Sequence, residues 1–444
     1  MARAKKETAL TPEERLQAAL VPDWERPYKL PENWCWTTIK NVATVVTGGT
    51  PAKNNPAYYG GKFPFFKPAD LDVGRHVSEA SEYLSDLGKS VSRVIPAQST
   101  AVCCIGSIGK CGFLEVEGTT NQQINSAIPY FNALYQYFYM NTEFFLNQLR
   151  GSASATTIAI VNKTKMESCY YPLAPLAEQQ RIVDRIESLF SKLDEAKEKA
   201  QAVVDSFETR KAAILHKAFT GELTAKWREE HGVSIDNWKT TRFDSVAAIR
   251  SNLVDPAEYQ SFPHIAPDNI EKKTGVLLEY HTIAEDGVTS GKHRFYSGQI
   301  LYSKIRPYLS KAVVVDFDGL CSADMYPIEA YQNARCLWYY MLSDEFLLQA
   351  STAGSRSVLP KINQKELSAL TVHLPTNDRE QEEIARILDE LFDKEQQTKE
   401  VAEAVLDQID LMKKSILARA FRGELGTNDP NEESAVELLK RTIL

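Results

Sequence analysis

The sequence predicts an α+β protein built as a pseudo-twofold internal repeat. Two mixed α/β globules are separated by two long helices, which pair as an antiparallel coiled coil. Three observations lead there. A long, charged helical pattern occurs twice, from Glu178 to Phe219 and from Glu380 to Phe421. The copies align without a slip: Ile182 on Ile384, Ile186 on Leu388, Phe190 on Phe392, Lys211 on Lys413, Phe219 on Phe421 and Gly221-Glu222-Leu223 on Gly423-Glu424-Leu425, always 202 residues apart. Upstream of each copy lies a globule-sized stretch that opens alike, with Asn33-Trp34 and Asn237-Trp238.

Taken in order, residues 1–32 form an N-terminal segment. Thr11 is placed to cap a short helix and Pro12 to occupy its first turn, before Val21-Pro22 breaks it. The first globule spans 33–171, with strands expected at 100–105 and 124–130 and one helix at 133–149. A helix follows over 172–225 and a linker over 226–236. The second globule, 237–375, repeats the order, with strands at 299–303 and 312–316 and a helix at 335–350. The second helix covers 376–426 and a tail 427–444. After each globular helix comes a Gly/Ser turn, Gly151-Ser152 and Gly354-Ser355.

The long helices carry a heptad seam. In the first it reads Ile182, Ile186, Leu189, Leu193, Ala196, Ala200, Val203, Phe207 and Ile214. In the second it reads Ile384, Leu388, Leu391, Ala402, Val405, Ile409, Met412 and Ile416, with polar Glu395 and Thr398 at its centre. Neither stripe is stable alone in water, and the simplest partner for each is the other. Gly221 and Gly423 stand where a left-handed residue ends a helix. At about 1.5 Å per residue, each helix makes a rod of about 60 Å, the length of a spacer.

No stretch approaches the ~20 apolar residues that span a bilayer, and no apolar run follows the N-terminal charges. Cys35, Cys103, Cys104, Cys111, Cys169, Cys321 and Cys336 show no CxxC spacing, which points to reduced thiols in a cytoplasm and away from structural zinc. The net charge of −8 is unevenly spread. Residues 33–165 hold eleven basic and eight acidic side chains, net +3; residues 237–370 hold fourteen and fifteen; residues 376–444 hold ten and seventeen, net −7. The acidity therefore belongs mostly to the second helix and tail, and the global charge does not exclude nucleic-acid binding by local patches.

Apparent catalytic motifs fail on inspection. Asn55-Pro56-Ala57-Tyr58 lacks the second proline of a base-flipping methyltransferase loop. Gly106-Ser-Ile-Gly109-Lys110 lacks P-loop spacing, and Cys111 stands where a metal-binding hydroxyl would be. The seven histidines form no ligand spacing, and Asp316 and Asp318 flank a turn at Gly319. What remains is polar side chains of the kind that read base edges or hold phosphates, set in glycine-rich loops. In the first globule these are Lys53, Lys67, Ser107, Lys110, Asn121, Gln122 and Gln123. In the second they are His264, Asn269, Tyr302, Ser303, Lys304, Arg306 and Tyr308.

The Asn-Trp start, Pro-Leu-Ala-Pro-Leu-Ala-Glu-Gln-Gln-Arg-Ile over 172–182, the long helix and Ala-Phe-Thr-Gly-Glu-Leu over 218–223 have counterparts in both halves. Together with Phe65-Phe-Lys-Pro-Ala-Asp-Leu71, Thr120-Asn-Gln-Gln123 and Leu301-Tyr-Ser-Lys-Ile-Arg-Pro307, they resemble the specificity subunits of type I DNA restriction–modification enzymes. One departure is Leu374 to Ile384, longer than its counterpart. The resemblance implies that each globule is a target-recognition domain reading one half of a split site in double-stranded DNA, with the helix pair fixing the gap. Half-site readers need such a spacer, and one turn of DNA is about 34 Å. It further implies two modification subunits that use S-adenosylmethionine, restriction subunits that use ATP and magnesium, and no catalytic centre or cofactor in this chain. Lys67, Lys110, Lys304 and Arg306 are then expected to contact DNA. Two other classes stay open: a helical scaffold without DNA readout, which DNA binding by the globules would exclude, and an enzyme with an unrecognised site, which methyl transfer by the lone chain would reveal.

Overall fold

A computed structural model describes residues 11–153, 159–353 and 360–443. The Gly354-Ser355 turn and the extreme N-terminus lie outside them. The chain divides into two compact units. Unit 1 comprises residues 1–199 and 405–444, and unit 2 residues 200–404. Each therefore contains one globule, one end of the first long helix and one end of the second.

Unit 1 is centred on a four-stranded antiparallel sheet in the order Ala43–Thr47, Ile124–Pro129, Ser99–Cys103, Cys111–Leu114. A second sheet orders Glu82–Leu84, Tyr59–Phe66 and Thr119–Thr120, the last pair being parallel. Cys35–Thr38 pairs with Tyr170–Leu173, tying the start of the globule to its end. Unit 2 repeats the plan with Ala247–Ile249, Met325–Ala330, Ile300–Ser303 and Ala312–Val314, and again joins its ends, through Trp238–Arg242 and Thr371–Pro375. Its second sheet has five strands, with Pro263–Ile265 and Gly319–Cys321 as the parallel pair.

The first long helix runs Leu176–Asp205 and resumes as Phe207–Phe219. At the break, the Ser206 hydroxyl donates to the Ala202 carbonyl at 2.6 Å, a back-bond that competes with the helical ladder. The second helix runs unbroken from Asp378 to Ala420. Gly221 (φ 81°) and Gly423 (φ 74°) take the left-handed conformation beyond each helix end. In unit 1, Lys197 pairs with Asp410 at 3.0 Å and Lys413 with Asp194, so the segments run antiparallel. In unit 2, Arg210 pairs with Glu395 at 2.8 Å and Lys399 lies over the Phe207 ring, again antiparallel.

The seam needs correction in its middle. Ile182, Ile186, Ala200 and Phe207 are buried, but Ala196 is exposed; on the second helix Val405 is 38% and Met412 49% exposed. Ala402 and Ile409 are buried with Leu406 half-buried between them, so the stripe has rotated by one residue. A straight helix drifts from a strict heptad, and two helices alone bury only a narrow seam. The globular helices also differ from expectation. Residues 133–149 form Ala133–Met140 and Glu143–Ser152, the second capped by the Thr142 hydroxyl, and Gly151-Ser152 is its last turn. Residues 335–350 form Ala334–Met341 and Asp344–Ala353.

Each globule is fastened to its helix by the landmark that opens it. Trp34 Nε1 donates to Glu178 at 2.7 Å and Trp238 Nε1 to Glu380 at 3.0 Å. Phe421 packs on Tyr135 and Tyr139 in unit 1, and its repeat partner Phe219 packs on Tyr340 in unit 2. The segment after each long helix closes the same junction. The helix Ala435–Ile443 buries Ala435, Leu438 and Leu439 in unit 1, and the helix Ala225–His231 brings Arg228 to Glu380 in unit 2.

Candidate nucleic-acid interface

In unit 1 the polar loops converge. A cavity of about 520 Å³ is lined by Thr50, Lys53, Phe65, Lys67, Asn121, Gln122 and Gln123, with Pro51 and Ala52. These come from three separate connections, and the sheet explains why they meet. Tyr59–Phe66 runs parallel to Thr119–Thr120, so both deliver their following residues at the same edge. The Gly49 amide donates to the Thr120 carbonyl at 2.8 Å, docking the 47–53 loop onto that edge. Gly48 is required for the approach, since a Cβ there would lie 2.2 Å from the Asn121 carbonyl. Thr50 donates to the Gln122 side chain at 2.6 Å and Asn121 to that of Gln123 at 3.0 Å. Lys53 is exposed and has no ion-pair partner among the described residues.

Lys67 reaches Glu82 at 2.8 Å, and Lys110 reaches Asp72 at 2.5 Å. Both pairs are solvent-accessible, so a phosphate can compete for either cation at small cost. Ser107 is exposed at the tip of the 105–110 loop. Sequence reasoning missed Arg93, which is exposed and donates to the Thr47 carbonyl at 2.6 Å, although it lies far from that loop in the chain. Asn55-Pro56-Ala57-Tyr58 is a turn in which Asn55 caps a 3₁₀ segment.

Unit 2 gathers its candidates by the corresponding connections. Lys304 donates to the Ala323 carbonyl at 2.6 Å, and Lys311 to the Pro267 carbonyl at 2.7 Å, which binds the 303–311 loop to both its neighbours. Asn269 uses both ends of its amide internally, accepting from the Ala266 amide and donating to the Glu279 carbonyl, so it shapes its loop. His264 is mostly buried and meets Asp286 at 2.7 Å, with His281 on the other oxygen of that carboxylate at 3.3 Å. No sequence motif singles out Asp286. Burial, with Lys304 second, lowers the His293 pKa and favours its neutral form. Arg306 and Tyr308 are exposed.

Two expectations fail here. Tyr302 is 1% exposed in the core, and Ser303 is buried with its hydroxyl donated to the Ile305 carbonyl at 3.1 Å. Both belong to the strand Ile300–Ser303, which lies between two neighbours in its sheet, so neither offers a surface to a partner.

All seven cysteines are buried free thiols, and burial raises the pKa of Cys35, Cys104 and Cys169 to about 12. Among the described residues no cluster of histidine, cysteine and carboxylate side chains is arranged to hold a metal ion, and no helix is long and apolar enough to cross a membrane.

The family model for the type I restriction modification DNA specificity domain matches twice, at residues 31–204 and 235–405. The chain is 34% identical to the EcoDI specificity subunit of Escherichia coli, across 89% of this chain and 90% of that one. It is 23% identical to the EcoKI specificity subunit of Escherichia coli strain K12 over the same shares. Two solved structures share the fold at 18% identity, each covering 90% of this chain and 100% of the other. One is a chain of a type I R-M system (TM-score 0.68) and one is the HsdS subunit from Thermoanaerobacter tengcongensis (TM-score 0.60). With two specificity domains joined by its repeated helices, this chain belongs to the type I restriction–modification specificity subunit family.

Proposed function

We propose that this chain confers DNA sequence specificity on a type I restriction–modification enzyme, each globule reading one half of a bipartite site in duplex DNA. The observation that carries the reading is the repetition of the site itself. Both units hang a set of polar, partly cationic loops on the same strand scaffold, as two half-site readers require. In this reading the chain is non-catalytic. Methyl transfer from S-adenosylmethionine belongs to two modification subunits, and ATP- and magnesium-dependent work to restriction subunits. Exposed Val401, Val405, Leu411 and Met412 on the second helix supply apolar surface for the modification subunits. The helix pair sets the gap between the half-sites. A scaffold without DNA readout has no observation in its favour.

The test is binding of the assembled modification complex to duplex DNA across a salt series. Neutralising Lys67, Lys110 and Lys304 should lower affinity and flatten the salt slope by about 0.9 for each phosphate that no longer meets a cation. Unchanged affinity and slope would remove these loops from the interface.

A further inference from the structure

Four non-glycine residues among those described have positive φ, and three of them meet in unit 2. Arg306 (φ 49°, ψ 61°) and Ser310 (φ 46°, ψ 54°) bracket the turn Pro307–Leu309. The amide of Lys273 (φ 65°) donates to the carbonyls of Leu309 and Ser310 at 3.1 and 3.3 Å. A side chain with a Cβ is strained in this region, and clustered strain of this kind marks functional sites. Arg306 is doubly misplaced, because a residue before proline is pushed towards extended backbone.

Unit 1 builds the same loop without strain. The loops are closed alike, by the Cys103 amide on the Lys110 carbonyl at 2.8 Å and the Ser303 amide on the Lys311 carbonyl at 3.0 Å. Ile105 bridges to Ile160, and Ile305 to Lys361. Where unit 2 has Arg306 and Ser310, unit 1 has Gly106 (φ 80°) and Gly109 (φ 92°). The loop itself therefore needs no side chain at position 306, and glycine would relax it.

The arginine side chain is not used within the fold. It is exposed, and its guanidinium has no ion pair or hydrogen bond among the described residues. The cations around it are engaged: Lys304 and Lys311 donate to carbonyls, and Lys361 reaches Asp324 at 3.2 Å. Its backbone, by contrast, is pinned. The amide donates to Pro360 at 2.8 Å and the carbonyl accepts from Leu309 at 2.9 Å. A rigid mount for a free fork suits directional recognition; a phosphate contact needs only a flexible charge.

We propose that Arg306 is a specificity-determining residue of unit 2, its guanidinium reading the O6 and N7 edge of a guanine in that unit's half-site. This rests on the DNA-reading function proposed above. The full subunit with its modification subunits would be compared as native, Arg306→Gly and Arg306→Lys. Three readouts are needed: melting without DNA, binding to duplexes varied at each base pair, and mapping of methylated sites. Arg306→Gly should melt higher than native, keep the other half-site, and lose about 10- to 100-fold of its discrimination at one G·C pair. Arg306→Lys should lose the same discrimination without the gain in melting, because it keeps the strain and loses the fork. Full discrimination in both variants, or uniform weakening on every sequence, would overturn the proposal. A native complex with no bipartite preference would instead overturn the DNA-reading function, and this proposal with it.

Discussion

Glu178 in unit 1 and Glu380 in unit 2 occupy equivalent turns of the two long helices, and both receive a tryptophan Nε1–H from the start of their globule. Their proton affinities nevertheless shift in opposite directions. Burial raises the Glu178 pKa, only partly offset by hydrogen bonds from Trp34, Asn428 and Thr427. Burial acts on Glu380 in the same sense, but Asn237, Arg228, Thr224 and Trp238 together outweigh it and bring its pKa below the ordinary value. The decisive difference is Arg228, which places a guanidinium on Glu380 at 2.7 Å. In unit 1 the nearby Arg181 turns instead to Glu432, with two hydrogen bonds at 2.7 and 2.8 Å. Two copies of one junction have thus diverged into a hydrogen-bonded carboxyl cluster without a guanidinium and a buried ion pair.

The largest effect expected from this contrast is on unit 2. Glu380→Gln strands the Arg228 guanidinium and should cost about 3–5 kcal/mol in a denaturant titration. The equivalent Glu178→Gln leaves no unpaired charge and should cost about 1 kcal/mol or less. Equal costs would mean that the two junctions are not chemically distinct.

The smallest and most diagnostic effect is the pH dependence of those costs. Glu380 has a lowered folded pKa, so its stabilisation is full above the ordinary carboxyl value and fades as pH falls through the folded one. Native protein should lose its advantage over Glu380→Gln on acidification. Glu178 has a raised folded pKa, so the penalty of its charged form is present in full above that value, shrinks as pH falls through it and is gone below the ordinary carboxyl value. Native protein should therefore gain on Glu178→Gln as pH falls. Matching slopes of one sign for the two variants would contradict the assignment.

The same pair shows what the sequence could and could not disclose. The 202-residue repeat and helix-ending Gly221 and Gly423 were legible, because helical periodicity and left-handed glycines are local properties. Asn33-Trp34 and Asn237-Trp238 were visible as landmarks but not as anchors, since Trp34 meets Glu178 across 144 residues of chain. The breaks at Thr142 and Ser343 have a local signal, since polar Asn141-Thr142-Glu143 and Ser343-Asp344-Glu345 interrupt the apolar runs and each hydroxyl caps the helix that follows. Lys53, Lys67, Asn121, Gln122 and Gln123 were named from loop composition, and the fold brings all five to one cavity. Tyr302 and Ser303 lie in a polar, loop-like motif of the sequence, whereas both faces of the strand that holds them are covered.

The central claim, that two globules read two halves of one DNA site, is tested most directly by mapping methylated bases in DNA from cells that carry this subunit with its modification subunits. The account predicts one new split motif, with N6-methyladenine in both halves and a gap of fixed length. A complex that assembles yet leaves no new methylated motif would contradict it.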